Sequence, residues 1–252
     1  MTVQDAAKTA AFMGADARAD RLSLNGPHGW VYRDVSLRAA PGTLTVIEGE
    51  AGSGRTSLLL TLAGRMRPTE GMLTVDGLTS RHKIQRIAAL GLLTEVNAFD
   101  DALSVREHLN ERLRFRRRRN TDVVRAAFAR AGLDPGALPD GDRTLVRRLM
   151  RDQTVRLGIA LALLDEPRLL VVDDTDSGLP EDRRRALWRT LRELADAGLT
   201  VIATCTDTRM AGWVADAVVT LTPAADTSAI DTAVTATFAA GASVPGALQG
   251  EQ

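Results

Sequence analysis

A nine-residue stretch, Gly49-Glu50-Ala51-Gly52-Ser53-Gly54-Arg55-Thr56-Ser57, constrains this 252-residue chain more than any other feature. It follows Leu44-Thr45-Val46-Ile47, a run beginning after a Pro41-Gly42 break that suits a buried strand. It runs into Ser57-Leu58-Leu59-Leu60-Thr61-Leu62-Ala63, a strong helix former stopped near Gly64. Glycine, four residues, glycine, a basic residue and then Thr is the spacing of a phosphate loop. Its glycines let backbone N–H groups point inward around a phosphate, and the following helix adds its positive N-terminal dipole. Thr56 can place a hydroxyl on Mg²⁺, and Ser57 can reach a phosphate oxygen. A ligand-free Gly/Ser turn is the bland alternative, and the spacing in a strand–loop–helix context argues against it. The basic position, lysine in the usual pattern, is Arg55 here. A guanidinium keeps the charge but is longer, planar and forked, so binding should survive while the fit around a transferring phosphoryl group changes.

Such a loop needs an acid at the end of a neighbouring buried strand to hold Mg²⁺. Asp165-Glu166-Pro167 follows a helix-patterned stretch, whereas Leu169-Leu170-Val171-Val172-Asp173-Asp174 has the required apolar strand. Asp173 is therefore the metal candidate, and Asp165-Glu166-Pro167 is expected to be the loop that ends the preceding helix.

The rest of the chain alternates strands with helices, which implies a largely parallel sheet covered on both faces. A turn at Asn25-Gly26-Pro27-His28-Gly29 predicts a hairpin within residues 21–37. A second strand pair is expected around Asp76-Gly77, and a strand over residues 88–94. Two helices are expected between Ser104 and Leu133, with Ser104 as an N-cap, and further helices over residues 153–164 and 181–195. Residues 1–20 look like a loose arm or short helix, and residues 222–252, rich in Ala, Thr, Ser and Gly, like a disordered tail.

Formal net charge is zero, so no global field favours nucleic acid. The Arg116-Arg117-Arg118-Arg119 run reads first as a solvated helix end, with partner or headgroup contact as the alternative. No apolar run approaches the roughly 18 residues that span a bilayer, and the N-terminal twenty residues do not resemble a secretory signal. The single cysteine, Cys205, offers no internal disulfide. A cytoplasmic location is the expectation.

Pro41-Gly42, the phosphate loop, Leu62-Ala63-Gly64, residues 68–71, Val75-Asp76-Gly77, Leu103-Ser104-Val105-Arg106-Glu107 and Asp173 occur in the order seen in ATP-binding-cassette (ABC) ATPase domains, which residues 21–221 resemble. The resemblance implies an α/β fold: a P-loop NTPase core with a mostly parallel sheet, an antiparallel β-subdomain and an inserted helical subdomain at about residues 98–152. It implies ATP and Mg²⁺ as cofactors, a second ABC ATPase chain in a homo- or heterodimer, and a membrane permease subunit as partner. The chain would then be peripheral at the inner face of the cell membrane.

Carried residue by residue, the resemblance also marks departures. The Q-loop glutamine falls on Glu95, the catalytic glutamate on Asp174 and the switch histidine on Thr206. Aspartate is shorter than glutamate by one C–C bond, about 1.5 Å, which matters for a base that must reach its water. None of His28, His82 and His108 replaces the histidine by position. The Leu-Ser-Gly-Gly-Gln signature falls on Leu149-Met150-Arg151-Asp152-Gln153. There Asp152 brings a carboxylate towards the expected γ-phosphate and reads as a helix N-cap. The base-stacking aromatic is open among Leu24, Trp30 and Tyr32. The expected function is the ATP-binding subunit of an ABC transporter with weak hydrolysis, and a non-hydrolysing nucleotide-dependent adaptor or regulator is the alternative.

Overall fold

The computed structural model describes residues 11–93, 96–114, 120–175, 177–209 and 211–224, with the backbone of Ala236–Phe238. Two sheets organise it. The larger has the strand order β5-β6-β7-β3-β8-β9. Its strands are β3 (Leu44–Glu48), β5 (Ala88–Leu90), β6 (Leu169–Val172), β7 (Thr200–Cys205), β8 (Ala217–Thr220) and β9 (Ala236–Phe238). All pairings are parallel except β8 with β9. Every residue of β6 and β7 is buried, as expected of central parallel strands covered on both faces.

Alternate side chains of these strands feed two separate cores. Leu44, Val46, Leu170, Val172, Val201 and Ala203 pack on one face with α6 (Glu181–Asp196), through Leu187, Trp188, Leu191 and Leu194. Ile47, Leu169, Val171, Ile202 and Val219 pack on the other with α1 (Arg55–Leu62), through Leu58, Leu59 and Leu62. Each such fully buried side chain contributes about 1.5–3 kcal/mol relative to exposure, and together they fix the strand ends that carry the candidate site.

The smaller sheet, β2-β1-β4, is antiparallel. The hairpin of β1 (Ala17–Gly26) and β2 (Gly29–Ala39) turns at Pro27-His28, and β4 (Glu70–Val75) lies against β1. Gly71 (φ 84°) crosses a bulge where an added Cβ would come 2.3 Å from the Arg21 carbonyl oxygen. Only glycine fits there.

Helices α3 (Val105–Leu113) and α4 (Thr121–Arg130) and three 3₁₀ turns interrupt the α/β alternation before α5 (Arg151–Leu163). Ser104 caps α3 in a capping box: its backbone N–H donates to Glu107 Oε2 at 2.7 Å, and the Glu107 N–H returns to Ser104 Oγ at 3.3 Å. Asn120 caps α4 by accepting from the Asp122 N–H at 2.9 Å.

Four local expectations need correction. Residues 11–20 are not loose. The Phe12 N–H donates to the Ala197 carbonyl at 2.7 Å, Ala15 exchanges hydrogen bonds with Thr200 Oγ1, and β1 already starts at Ala17. Ala15, Ala17 and Ala19 are buried at alternate positions, a strand period hidden in sequence because alanine is only weakly apolar. No second hairpin forms at Asp76-Gly77: β4 pairs with β1, and the turn leads into α2 (Arg81–Ile87). The strand expected over residues 88–94 stops at Leu90, where the Asn97 side chain takes over by bonding Leu93 N and the Gly91 carbonyl, both at 2.7 Å. The region expected to be a structureless tail contains β9. Arg116–Arg119 and Glu95 lie outside the described residues.

Candidate phosphate-binding site

In an open parallel sheet, ligands bind beyond the carboxyl ends of the strands. At that edge the loop of residues 49–54 leaves β3, Asp173 and Asp174 follow β6, and Thr206 follows β7, which lies between those two strands. The loop is tied down at its start, where the Gly49 N–H donates to the Cys205 carbonyl of β7 at 3.2 Å. Gly54 is the N-cap of α1 with φ 89°, and a Cβ there would sit 2.4 Å from the Val31 carbonyl oxygen of β2. Sterics with the small sheet therefore require glycine at this turn.

The fold consumes only part of the loop's polar groups: the Gly49 and Ser53 N–H groups donate to the Cys205 and Glu50 carbonyls. Gly54 offers α1 no side-chain cap, and no acidic residue lies in the first helical turn. Ser53 Oγ and Arg55 Nη1 are buried with no hydrogen-bond partner among the described residues, although buried polar atoms are normally paired. Glu50, Ala51 and Gly52 are exposed. The arrangement is a cradle of donors ready for an anion.

Beside the cradle, Thr56 Oγ1 donates to Asp173 Oδ2 at 2.6 Å, although 117 residues separate them in sequence. Asp173 is buried, and its other oxygen accepts a short hydrogen bond from Thr204 Oγ1. The same Thr204 hydroxyl accepts the Asp174 N–H at 2.9 Å, and its carbonyl receives Thr175 Oγ1 at 2.8 Å. Thr204 thus sets the turn after β6, in which Asp174 adopts φ 49°. Sequence reasoning assigned it no role. The available signal was a hydroxyl near the end of an otherwise apolar strand. Thr206 is exposed one residue beyond β7, and Glu48 Oε1 steadies the segment after it by accepting from Thr208 N and Oγ1, both at 3.1 Å.

The carboxylate of Asp174 lies 3.9 Å from Arg55 Nη2 on one side and 3.9 Å from Arg151 Nη2 on the other. Arg151 opens α5, in the segment of residues 149–153. Leu149 packs against the core, Met150 is exposed, and Gln153 Oε1 accepts the Met150 N–H at 2.9 Å. Asp152 is not the helix N-cap: that position belongs to Met150, and Asp152 sits one residue inside the helix. Its carboxylate accepts from Arg183 Nη1 of α6 at 2.8 Å and lies 4.0 Å from Arg156. Arg156 is itself buried, held by the Ala131 carbonyl and Thr190 Oγ1, and its burial lowers its pKa. Asp152 is therefore engaged with α6.

Of the open aromatic candidates, Tyr32 belongs to the core. Its hydroxyl shares a 2.7 Å hydrogen bond with Thr61, and burial pushes its pKa up to about 12. Leu24 is also buried, while Trp30 is half-exposed with the Arg33 guanidinium 5.3 Å from its ring centroid.

Known proteins resemble this chain in sequence and in fold. The ABC transporter family profile matches residues 32–177, more than half of the chain. The daunorubicin resistance ATP-binding protein DrrA3 of Streptomyces coeruleorubidus is 32% identical over 76% of this chain and 58% of its own length. The ABC transporter ATP-binding/permease protein Rv1747 of Mycobacterium tuberculosis is 30% identical over 75% of this chain and 22% of its own. The chain thus spans less than two thirds of either relative. Among solved structures, the post-hydrolysis dimer of the ATP-binding cassette MJ0796 bound to ADP and Pi superposes with a TM-score of 0.67 at 19% identity, covering 81% of this chain and 94% of that one. The order of strands, the loop and its paired acid, and these matches lead to one conclusion: the chain belongs to the ABC transporter family, as an ATP-binding cassette with the P-loop α/β fold.

Proposed function

We propose that this cassette binds Mg-ATP on residues 49–57, pairs with a second cassette chain, and transmits nucleotide-driven closure to a membrane permease subunit while hydrolysing slowly. The observation that carries the reading is the meeting of Thr56 and Asp173 at 2.6 Å beside a loop with unspent buried donors. Backbone N–H groups of the loop beyond Gly49, whose own N–H is held by the Cys205 carbonyl, would wrap the phosphates, and Arg55 would donate charge-assisted hydrogen bonds to them. Thr56 and Asp173 would hold Mg²⁺. Two protein ligands suit an ion whose coordination is completed by phosphate oxygens and water. Bound Mg²⁺ neutralises charge developing on the phosphoryl oxygens.

Slow turnover follows from the side chains beside that site. Asp174 is the candidate base, on a stem about 1.5 Å shorter than glutamate's, and its carboxylate lies 3.9 Å from a guanidinium on each side. Thr206 can hydrogen-bond a phosphate but cannot add charge. A permease partner is supported by the name of the second relative, which joins an ATP-binding and a permease part. No helix among the described residues is long and apolar enough to cross a membrane. Location at the inner membrane face would follow from that partner.

Calorimetric titration of Mg-ATP tests the binding claim. The wild-type chain should bind, and Arg55→Ala should weaken binding at least tenfold; equal affinities would remove Arg55 from the site. Steady-state ATPase assays test the rest: turnover should be slow, and Asp174→Glu should not lower it. A brisk rate abolished by Asp174→Asn would show that the shorter acid is already well placed.

A further inference from the structure

Residues 64–87 carry Arg65, Arg67, Arg81, Lys83 and Arg86, with His82 among them, against only two acids, Glu70 and Asp76. Asp76 is drawn off by Arg168 and neutralises none of them. In other parts of the chain exposed arginines find carboxylates: Arg106 pairs with Asp142, Arg112 with Asp165 and Arg148 with Asp140. The five cations of residues 64–87 make no ion pair among the described residues, and all five are exposed.

Packing gathers them on one surface. Gly64, with φ 72°, lies so close to α2 that a Cβ there would come 2.8 Å from the Arg81 carbonyl oxygen and 3.1 Å from Ile84. Gln85 Nε2 donates to the Gly64 carbonyl at 2.7 Å. The turn carrying Arg65 and Arg67 is thereby fastened to α2. Within α2 the buried side chain is Ile84. At 3.6 residues per turn, His82 and Arg86 lie about 160° around the helix from it, with Arg81 and Lys83 on the flanks. The solvent face of α2 is therefore cationic throughout. This surface follows the C-terminal end of α1, about 12 Å along that helix from the phosphate cradle.

We propose that this surface binds the anionic headgroups of a membrane leaflet directly, through charge. The inference goes beyond the reading above, since it requires neither a bound nucleotide nor a permease. Ile84 is spent on the core, so α2 rests on the headgroups and does not insert. Each Lys or Arg held near an anionic leaflet strengthens binding about fivefold. Formal net charge is zero, so a local patch, and not the whole chain, supplies the attraction and orients the molecule. Nucleic acid fits the surface less well, because residues 64–87 contain no aromatic side chain on which bases could stack. An acidic peptide would need a pocket for an anchoring side chain, and none of the five cations lines the clefts beside α3, α4 and α5. A leaflet needs only several cations exposed together.

Co-sedimentation of the full chain with phosphatidylcholine vesicles, with and without about 30% phosphatidylglycerol at about 0.1 M salt, is the test. Wild type should bind only the anionic vesicles and leave them at about 1 M salt, where charges are screened within about 3 Å. Lys83→Gln combined with Arg86→Gln should weaken binding at least tenfold, from two steps of about fivefold. Arg143→Gln combined with Arg147→Gln removes the same charge from two exposed arginines elsewhere and should weaken it by less than about twofold. Circular dichroism melts check that both double variants are folded. No binding to anionic vesicles, equal binding to neutral ones, or equal losses in the two double variants would overturn the proposal. A polyglutamate peptide or DNA duplex bound through Lys83 and Arg86, with no vesicle binding, would give the surface to an acidic macromolecule and overturn it as well.

Discussion

The wall of the cleft built from the ends of β3, β6 and β7 is fixed by hydrogen bonds, whereas the start of α5 meets the same centre through the Arg151–Asp174 ion pair at 3.9 Å. On the first wall, Thr56, Asp173 and Thr204 form a continuous network, and Gly54 is forced by the Val31 carbonyl. On the second, Arg151 and Asp174 are both about one-third exposed and do not hydrogen-bond each other. A network of short, buried bonds cannot shift one member without exposing another to an unpaired state. Ion pairs in partial solvent can be remade at little cost. The first wall is preorganised; the second is adjustable.

If that contrast holds, the largest loss of stability should come from the first wall. Gly54→Ala combines a left-handed φ with a 2.4 Å backbone clash and should cost about 3 kcal/mol in denaturant unfolding. Thr204→Val keeps the shape but removes one hydroxyl from Asp173 and from the Asp174 N–H, and should cost about 2 kcal/mol. On the second wall, Asp152→Asn loosens α5 from Arg183 and should cost no more than about 1 kcal/mol. A cost for Asp152→Asn matching that of Thr204→Val would erase the distinction.

The smallest effect is expected farther out in the helical region, where Arg106 grips Asp142 with two hydrogen bonds of 2.9 and 2.7 Å. The Arg106 guanidinium holds the Asp142 carboxyl below the usual carboxylate range. A depressed folded-state pKa contributes stability above the unfolded value, near 3.9, and loses it as pH falls through the folded value. Both side chains are 43% exposed, so solvent screening limits the contribution to about 0.5 kcal/mol. Asp142→Asn should therefore differ slightly from wild type at pH 7 and converge with it in acid.

The two walls also differed in how far the sequence announced them. The phosphate loop is contiguous, so its glycine spacing and flanking strand and helix were visible directly, and Asp173 stood out after a four-residue apolar strand. The bond from Thr204 to Asp173 crosses between adjacent strands, and strand order is not written in local pattern. The N-terminal strand was missed because Ala15, Ala17 and Ala19 carry its inward face with methyl groups alone. Asp152 has the composition of an N-cap, but the helix starts one residue earlier and Arg183, thirty-one residues away, takes its carboxylate. Charge pairs made by tertiary structure were the illegible part.

The central claim is that the ends of β3 and β6 form one Mg-nucleotide site through Thr56 and Asp173. ATP affinity measured with Mg²⁺ and again with excess EDTA, for wild type and Asp173→Asn, tests it most directly. Wild type should bind at least tenfold more tightly with Mg²⁺, and Asp173→Asn should lose most of that gain while still binding metal-free ATP. The same affinity with and without Mg²⁺ in wild type, or a full Mg²⁺ gain in Asp173→Asn, would contradict the account.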